Sequence, residues 1–557
     1  MPWGPDVTVR WSIVTGNPAN VYGGPVKKFT LGLACVSWLL AGCGESVVGE
    51  SAFDAANLDM DTFVADASDG QTSLDVVGGT DVALGDSDAQ TVDPDQVPAP
   101  PESCVVYAPE GEDPSAALFD SECVIDVHVE LAPEDWKALR LQTRSILSVV
   151  QGECLAEPPQ EVFSWFEADV SVGGQRVENV AVRKKGFLGS LSVDKPSLKV
   201  RFDKYVEGQE LAGLTRMTLN NLNQDPSLIN TCMAYHVMAQ AGLPAPRCNF
   251  ARVSVNGFDL GLYAHVDSIK KPFIARHFSS DEGSLYEATL SDFNDAFRGT
   301  WEKKTNKTED DWSDLDAAVE ALKLPDEELM AGLEGVFDLD AFYTHWATEV
   351  LIGHWDGYAG NHNNTYVYAD PADGLFRFIP WGADSAFVEA EYFIGLEGDL
   401  PDGVYAFGHL AHRLYGHAQG RAAYSARLGE LLESVWDAPA LVAEVDRLEE
   451  QLKPHLSLSE QADLAPQVQL KRNWIEGRAA VLAEQVQETV DWTYPPSEPL
   501  CWLPTGSISG TFETTWGSGG WDFLNKVGKI THDVALLDNL GNIAANARMG
   551  AGNTEGQ

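Results

Sequence analysis

Apolar positions in this chain change period several times, and each change marks a predicted element. Alternation over Cys123–Val129 predicts a strand, and Pro133–Leu141 reads as a short helix. Phe166–Val172 and Val177–Arg183 predict a hairpin through Gly173 and Gly174, and Leu198–Phe202 predicts a further strand. A helix is predicted over Ser227–Ala241, stopped by Gly242. Arg252–Val255 and Leu260–Val266 form a hairpin through Asn256 and Gly257, a dipeptide suited to the tight turn. Leu339, Phe342, Tyr343, Trp346 and Val350 then recur at helical spacing behind Asp338, whose carboxylate is suited to cap a first turn. The segment His354–Asn364 is crowded with Asp, Asn, His and Gly. It reads as a loop that cannot bury itself and whose polar groups need a partner. Strands over Thr365–Tyr368 and Phe376–Ile379, joined by the Asp370–Gly374 turn, lead to Asp384.

Residues 292–336 are polar and then helical. Beyond Phe387, apolar stripes through Leu428–Val435, Leu441–Leu452 and Val468–Val486 predict helices to about Val490. Pro495 and Pro496 mark a boundary, and the Gly-rich chain from Gly506 reads as a short β-rich extension or a truncated module, 496–557. The expected fold class is α+β.

Composition changes the picture at the N-terminus. Lys27 and Lys28 precede an apolar run, Phe29–Leu40, and then Leu40, Ala41, Gly42 and Cys43. Basic region, short apolar core and small residues predict an export signal over 1–43. The run is short for a membrane-spanning helix. The four residues ending at Cys43 are similar to a bacterial lipobox, which implies a lipid on Cys43; the plainer reading is an apolar helix with a buried cysteine. On the lipobox reading, translation begins near Val26. Residues 44–103 carry no Lys or Arg and recurrent Asp, and predict a disordered acidic linker. A tether is one reading of it and a calcium-binding repeat another, although no regular period supports the repeat. Six cysteines follow: Cys104, Cys123, Cys154, Cys232, Cys248 and Cys501. In an exported chain they predict disulfides, with fifteen possible pairings. No C-x-x-C is present, which argues against a zinc site.

The 557 residues carry a formal net charge of −47. That excludes a nucleic-acid partner and adhesion to anionic lipid head groups, leaving a lipid anchor as the route to a membrane. Phosphate chemistry would need local cations and a divalent ion such as Mg²⁺ or Mn²⁺. Arg183, Lys184, Lys185 and Gly186 supply a basic turn that suits a phosphate, and equally a hairpin loop with solvated lysines. Lys199 stands in a predicted strand, where it either pairs with phosphates or faces outward. Asp356 and Asn361 are spaced D-x-x-x-x-N, the arrangement in which a kinase Asp accepts the hydroxyl proton and an Asn holds the metal. Asp384, after the hairpin, stands where the second metal ligand is needed. His354, His362, His409 and His412 suggest a metal cluster or, more simply, structural histidines.

The stretch His354–Tyr368 followed by Phe376–Phe387 resembles the core signature of the CotH kinase family, the spore-coat protein H type. Resemblance extends upstream through the basic turn, Lys195–Asp203, Leu219–Leu228, the Ala241–Arg247 stretch and the Val255–Asp267 hairpin, and covers about 104–495 as one domain. It implies an atypical, two-lobed, protein-kinase-like fold. It also implies an ATP- and magnesium-dependent transfer of phosphate to serine or threonine of an extracytoplasmic protein. The resemblance further implies roles: Asp356 as catalytic base, Asn361, Asn363 and Asp384 on the metal, and Lys199, Lys195, Arg183, Gly186 and Asp267 around the nucleotide. Two departures stand out. Asn230 and Thr231 occupy the early helix where the family shows Arg-Glu, and Gly382 replaces the first Asp of W-D-x-D. They keep open a catalytically inactive, kinase-like surface binding protein, as well as another nucleotidyl transferase on the same site.

Overall fold

The computed structural model describes residues 113–487 and 490–497, apart from 121, 145–156, 188 and 389–399, with short strands between 507 and 556. The export segment, Cys43, the 44–103 linker and Cys104, Cys154 and Cys501 lie outside the described residues.

The first half of the domain is a closed barrel. Its strands are β1 (Ile125–Glu130), β2 (Phe166–Val172), β3 (Gln175–Lys185), β4 (Ser197–Arg201), β5 (Arg216–Asn220), β6 (Cys248–Val255) and β7 (Phe258–Val266), ordered β1-β2-β3-β4-β5-β7-β6. β1 closes the ring by pairing parallel to β6, while the other neighbours run antiparallel. The expected α+β class holds, and within it the strands of this half close into a barrel that the sequence did not foretell. Hairpin signals specify local pairs, whereas the closing β1–β6 pair joins residues more than a hundred positions apart. Val127, Val129, Val170, Val182, Leu198, Val200, Leu219 and Val253 fill the interior. Alternation therefore sends Arg183, Lys185 and Lys199 to the outer wall. A short helix, α1 (Pro133–Leu141), lies at one end, where Lys184 donates to the Arg140 carbonyl at 2.8 Å.

The second half is built on a four-stranded sheet and a helical body. Helix α2 (Asn230–Gln240) comes between β5 and β6, and α3 (Lys271–His277) follows β7. Next come β8 (Ser284–Glu287), β9 (Glu302–Lys303), α4 (Ser313–Ala321), α5 (Asp326–Glu334) and α6 (Leu339–Leu351). A single turn, α7 (Tyr358–Asn361), precedes β10 (Thr365–Ala369) and β11 (Phe376–Pro380). The sheet order is β11-β10-β8-β9. One face, with Leu285, Tyr366, Tyr368 and Ile379, packs on α3. The other, with Tyr286, Val367, Phe376 and Phe378, packs on the body that contains α6. Asp338 caps α6 as its sequence predicts, accepting from the Ala341 N–H at 3.1 Å. Helices α8 (His409–Gly416), α9 (Ala418–Ser434), α10 (Ala438–Leu452) and α11 (Leu458–Gln487) complete the body.

Strands β12 to β17 between Ser507 and Gly556 form two three-stranded sheets. One disulfide, Cys232–Cys248, joins α2 to β6, and Cys123 is disulfide-bonded as well. Among the described residues no helix is long and apolar enough to cross a membrane.

Candidate functional site

The outer wall of the barrel faces the four-stranded sheet, and ionisable side chains gather where they meet. On the wall, β3 and β4 pair so that Arg183 lies opposite Lys199. Lys185, two residues on, shares that side and donates to the Asn220 Oδ1; its ammonium stands 5.7 Å from the Trp381 ring centre. Burial and the neighbouring Lys199 push Lys185 down to about 7, against the pull of Asp384. Burial likewise brings Lys199 down to about 8, with Glu287 opposing. Glu287 on β8 also pairs with Lys304, which makes a second ion pair to Glu302 at 2.7 Å. Burial would raise Glu287, but Lys304 and Lys199 hold it well below the ordinary carboxylate range. Lys270, at the start of α3, belongs to the same cluster, and burial plus Lys304 and Lys199 bring it to about 7.

Carboxylates arrive from the other side. Asp384 sits in a 3₁₀ turn, Ala383–Ser385, directly after β11. Its carbonyl accepts from Asn230 Nδ2 at 3.0 Å, so the early helix residue that departs from the expected Arg-Glu anchors the Asp384 turn instead. Burial pushes the Asp384 carboxyl up to about 6 although Lys185 opposes this. Asp356 lies within the His354–Asn364 stretch. Its carboxylate accepts from three side-chain amides: Asn361 Nδ2 at 2.6 Å, Asn363 Nδ2 at 3.3 Å and Asn364 Nδ2 at 2.6 Å. Burial and the Asp384 charge still raise it to about 7.

This stretch was expected to be a loop that cannot bury itself. It is buried, because the chain supplies its partners: the three asparagines for Asp356 and, as described below, a carboxylate for α7. Close packing depends on small residues. A Cβ on Gly360 would overlap the Trp355 carbonyl. Gly382 has φ +55° and lies against Asn364, whose amide fills the space a side chain there would need. The departure from W-D-x-D is thus matched by the asparagine that grips Asp356.

The structure brings Asp356, Asn361, Asn363, Asp384, Lys199 and Arg183 to one region, with Gly186 at its edge, and leaves Lys195 and Asp267 outside it. Arg183 is committed to Glu161 and lies over the Trp165 ring at 4.9 Å. Gly186 closes the turn after Lys185, where a Cβ would come within 2.6 Å of Ser190 Oγ. Lys195 points elsewhere: its ammonium is 5.3 Å from the Tyr263 ring, and Glu460 and Asp259 are its nearby charges. Asp267 pairs with Arg247 at 2.9 Å and with Arg276, an ion-pair cluster apart from the lysines. His354 and His362 are buried and brought to about 4 by burial, which keeps them neutral and structural. His409 and His412 sit on α8, and the described residues hold no group of three or more His, Cys, Asp or Glu fit to hold a metal.

Sequence reading placed Lys185 only in the basic turn, not on this wall, and missed Glu287, Lys304 and Lys270. Lys185 was within reach of it, since alternation from Arg183 puts both on one face. Glu287 was not, because its strand is four residues long and far from Lys199 in sequence.

A divalent cation fits this donor set. Two carboxylates, Asp356 buried and Asp384 half-buried, with the Asp384 charge raising Asp356, suit a hard ion that prefers oxygen ligands.

Comparison with known proteins agrees with the resemblance read from the sequence. The family model described as CotH kinase protein matches residues 182–492, more than half of the chain. Inner spore coat protein H of Bacillus subtilis (strain 168) is 23% identical over 261 residues, spanning 45% of this chain and 71% of that protein. Invasin CotH3 of Rhizopus delemar is 24% identical over 262 residues, 43% of each chain. The matched region contains the end of β3, all of β4, the asparagine-lined Asp356 and the Asp384 turn, and the chain belongs to the CotH kinase protein family.

Proposed function

We propose that this protein is an atypical kinase. It would bind ATP with Mg²⁺ or Mn²⁺ between the barrel wall and the four-stranded sheet, and transfer phosphate to a serine or threonine hydroxyl of an extracytoplasmic protein. One observation carries the reading: half-buried lysines on one wall face the half-buried Asp384 and the buried Asp356 on the other, in a chain whose net charge is −47. Lys199 and Lys185 hold phosphate oxygens, and an arriving polyanion relieves their mutual repulsion. Asp384, Asn361 and Asn363 hold the cation, which when bound neutralises charge developing on the transferred group. Asp356 orients the acceptor hydroxyl and takes its proton; a carboxyl brought to about 7 suits that exchange near neutral pH. Arg183 and Gly186 shape the wall next to Lys185. The two-lobed kinase-like arrangement, the lipid anchor on Cys43 and the surface location belong to the same proposal.

A second reading, a non-catalytic binding protein, is favoured by one feature: three amides already occupy the Asp356 carboxylate. The test is a thermal-shift titration of the full chain with ATP, with and without Mg²⁺ or Mn²⁺, beside Asp384→Ala. A rise of several degrees that needs both nucleotide and metal and is lost in Asp384→Ala is expected. No rise with any pair overturns the nucleotide site. A rise without transfer to any protein hydroxyl leaves the binding-protein reading.

A further inference from the structure

Helix α7 is only one turn long, and a single turn cannot hold its own shape in isolation. Its first N–H groups have no partner within the turn. Both are satisfied by a buried side chain from α6. Glu349 Oε1 accepts from the Tyr358 N–H at 2.9 Å and Oε2 from the Ala359 N–H at 3.0 Å. His345 Nε2 lies 3.1 Å from Oε1, one turn back on the same helix. The Glu349 carbonyl also accepts the His354 N–H at 2.7 Å, so one residue fixes both the exit from α6 and the start of α7. At the far end of the turn stands Asn361, whose amide holds Asp356.

We propose that Glu349 is a positioning residue: it holds α7 by its two leading N–H groups and thereby sets Asp356 and Asn361 against Asp384. This rests on the nucleotide-site reading above. A carboxylate is required because both of its oxygens accept. A glutamine would turn an NH₂ toward one of the two N–H groups, donor against donor. Asp292 supports the turn from the opposite side, accepting from the Tyr358 hydroxyl at 2.7 Å, so loss of the Glu349 contact displaces the turn without unfolding the body.

The experiment compares Glu349→Gln with the wild-type full chain in three measurements: melting temperature without ligand, amide exchange over 354–364, and affinity for Mn²⁺ alone. Glu349→Gln is expected to exchange the Tyr358 and Ala359 amides at least about tenfold faster, with the rest of the body unchanged. Mn²⁺ affinity is expected to fall about tenfold, as when other outer groups that orient metal ligands are removed. Unchanged exchange at Tyr358 and Ala359 overturns the proposal. So does Mn²⁺ affinity equal to wild type in a variant whose turn has loosened, because Glu349 would then be structural only. Wild-type protein that binds no Mn²⁺ would overturn the nucleotide-site reading, while the exchange contrast would still decide whether Glu349 holds the turn. If Glu349→Gln fails to fold, Glu349→Asp is measured in the same way.

Discussion

The two walls of the site solve the same problem differently. On the barrel side, Lys185 and Lys199 project from regular strands whose inner faces form an apolar core, and period two alone decides where they point. On the opposite side, Asp356 and Asp384 sit in irregular chain held by asparagines, by Glu349 and by glycines that allow close approach. The lysine wall is set by a scaffold that folds for reasons unrelated to the site. The carboxylate wall depends on its own polar contacts. Backbone disturbance should therefore damage the second wall much more than the first.

The largest effect is expected at Gly360. Gly360→Ala drives a Cβ into the Trp355 carbonyl and should cost about 3 kcal/mol or more in urea unfolding. A comparable change on the lysine wall, such as Ser197→Ala, should cost far less. Equal costs would break the contrast.

Next comes acid. His265, buried in the barrel, stacks on Phe119 with ring centres 4.5 Å apart and is brought to about 4 by burial. Above pH 6.5 it is neutral in both folded and unfolded chain and contributes no pH dependence. As pH falls toward 4 only the unfolded chain takes up the proton, so stability is lost across that window, by about 3 kcal/mol in the limit. Melting temperature against pH should be flatter in His265→Phe than in wild type. Identical slopes would mean that the imidazole is not held neutral.

A smaller effect, of opposite sign, is expected from Lys185→Met. Removing a buried charge that faces Lys199 should raise stability by about 1 kcal/mol while weakening nucleotide-dependent stabilisation. Loss of stability would show that the Asn220 and Asp384 contacts outweigh the cost of burial.

The smallest concerns Gly382. Gly382→Asp should destabilise the chain through the clash with Asn364 and the φ of +55°, and pairing it with Asn364→Gly should recover only the part due to the clash, because the double variant keeps the strained φ and loses an amide from Asp356. Additive losses in the double variant would show that the two positions are independent.

Much of this was legible in the chain. The Asp338 cap, the helix behind it and the Thr365–Phe376 hairpin announce themselves through local chemistry, since caps, stripes and turns involve residues a few positions apart. Asp356, Asn361 and Asp384 could be singled out as candidates because they lie on that frame. The barrel was not legible, since its closing pair joins β1 to β6 across the chain. Lys195 and Asp267 were misplaced for a related reason. Strand periodicity says which face a side chain takes, but not which part of the molecule that face meets. Glu287 became visible only once β8 lay beside the barrel wall.

Glu287 has a further consequence. Lys185, Lys199, Lys270 and Lys304 all feel its charge, so one carboxylate serves as common counter-ion to four ammoniums. Ammoniums that share a counter-ion compete for it, and neutralising one strengthens its hold on the rest. Substitutions in this cluster should therefore not add, and double-mutant cycles that pair Glu287 with each lysine should all show coupling. An anion entering the cluster joins the same competition as a second creditor, and the four lysines would register its arrival together as one collective rise in proton affinity.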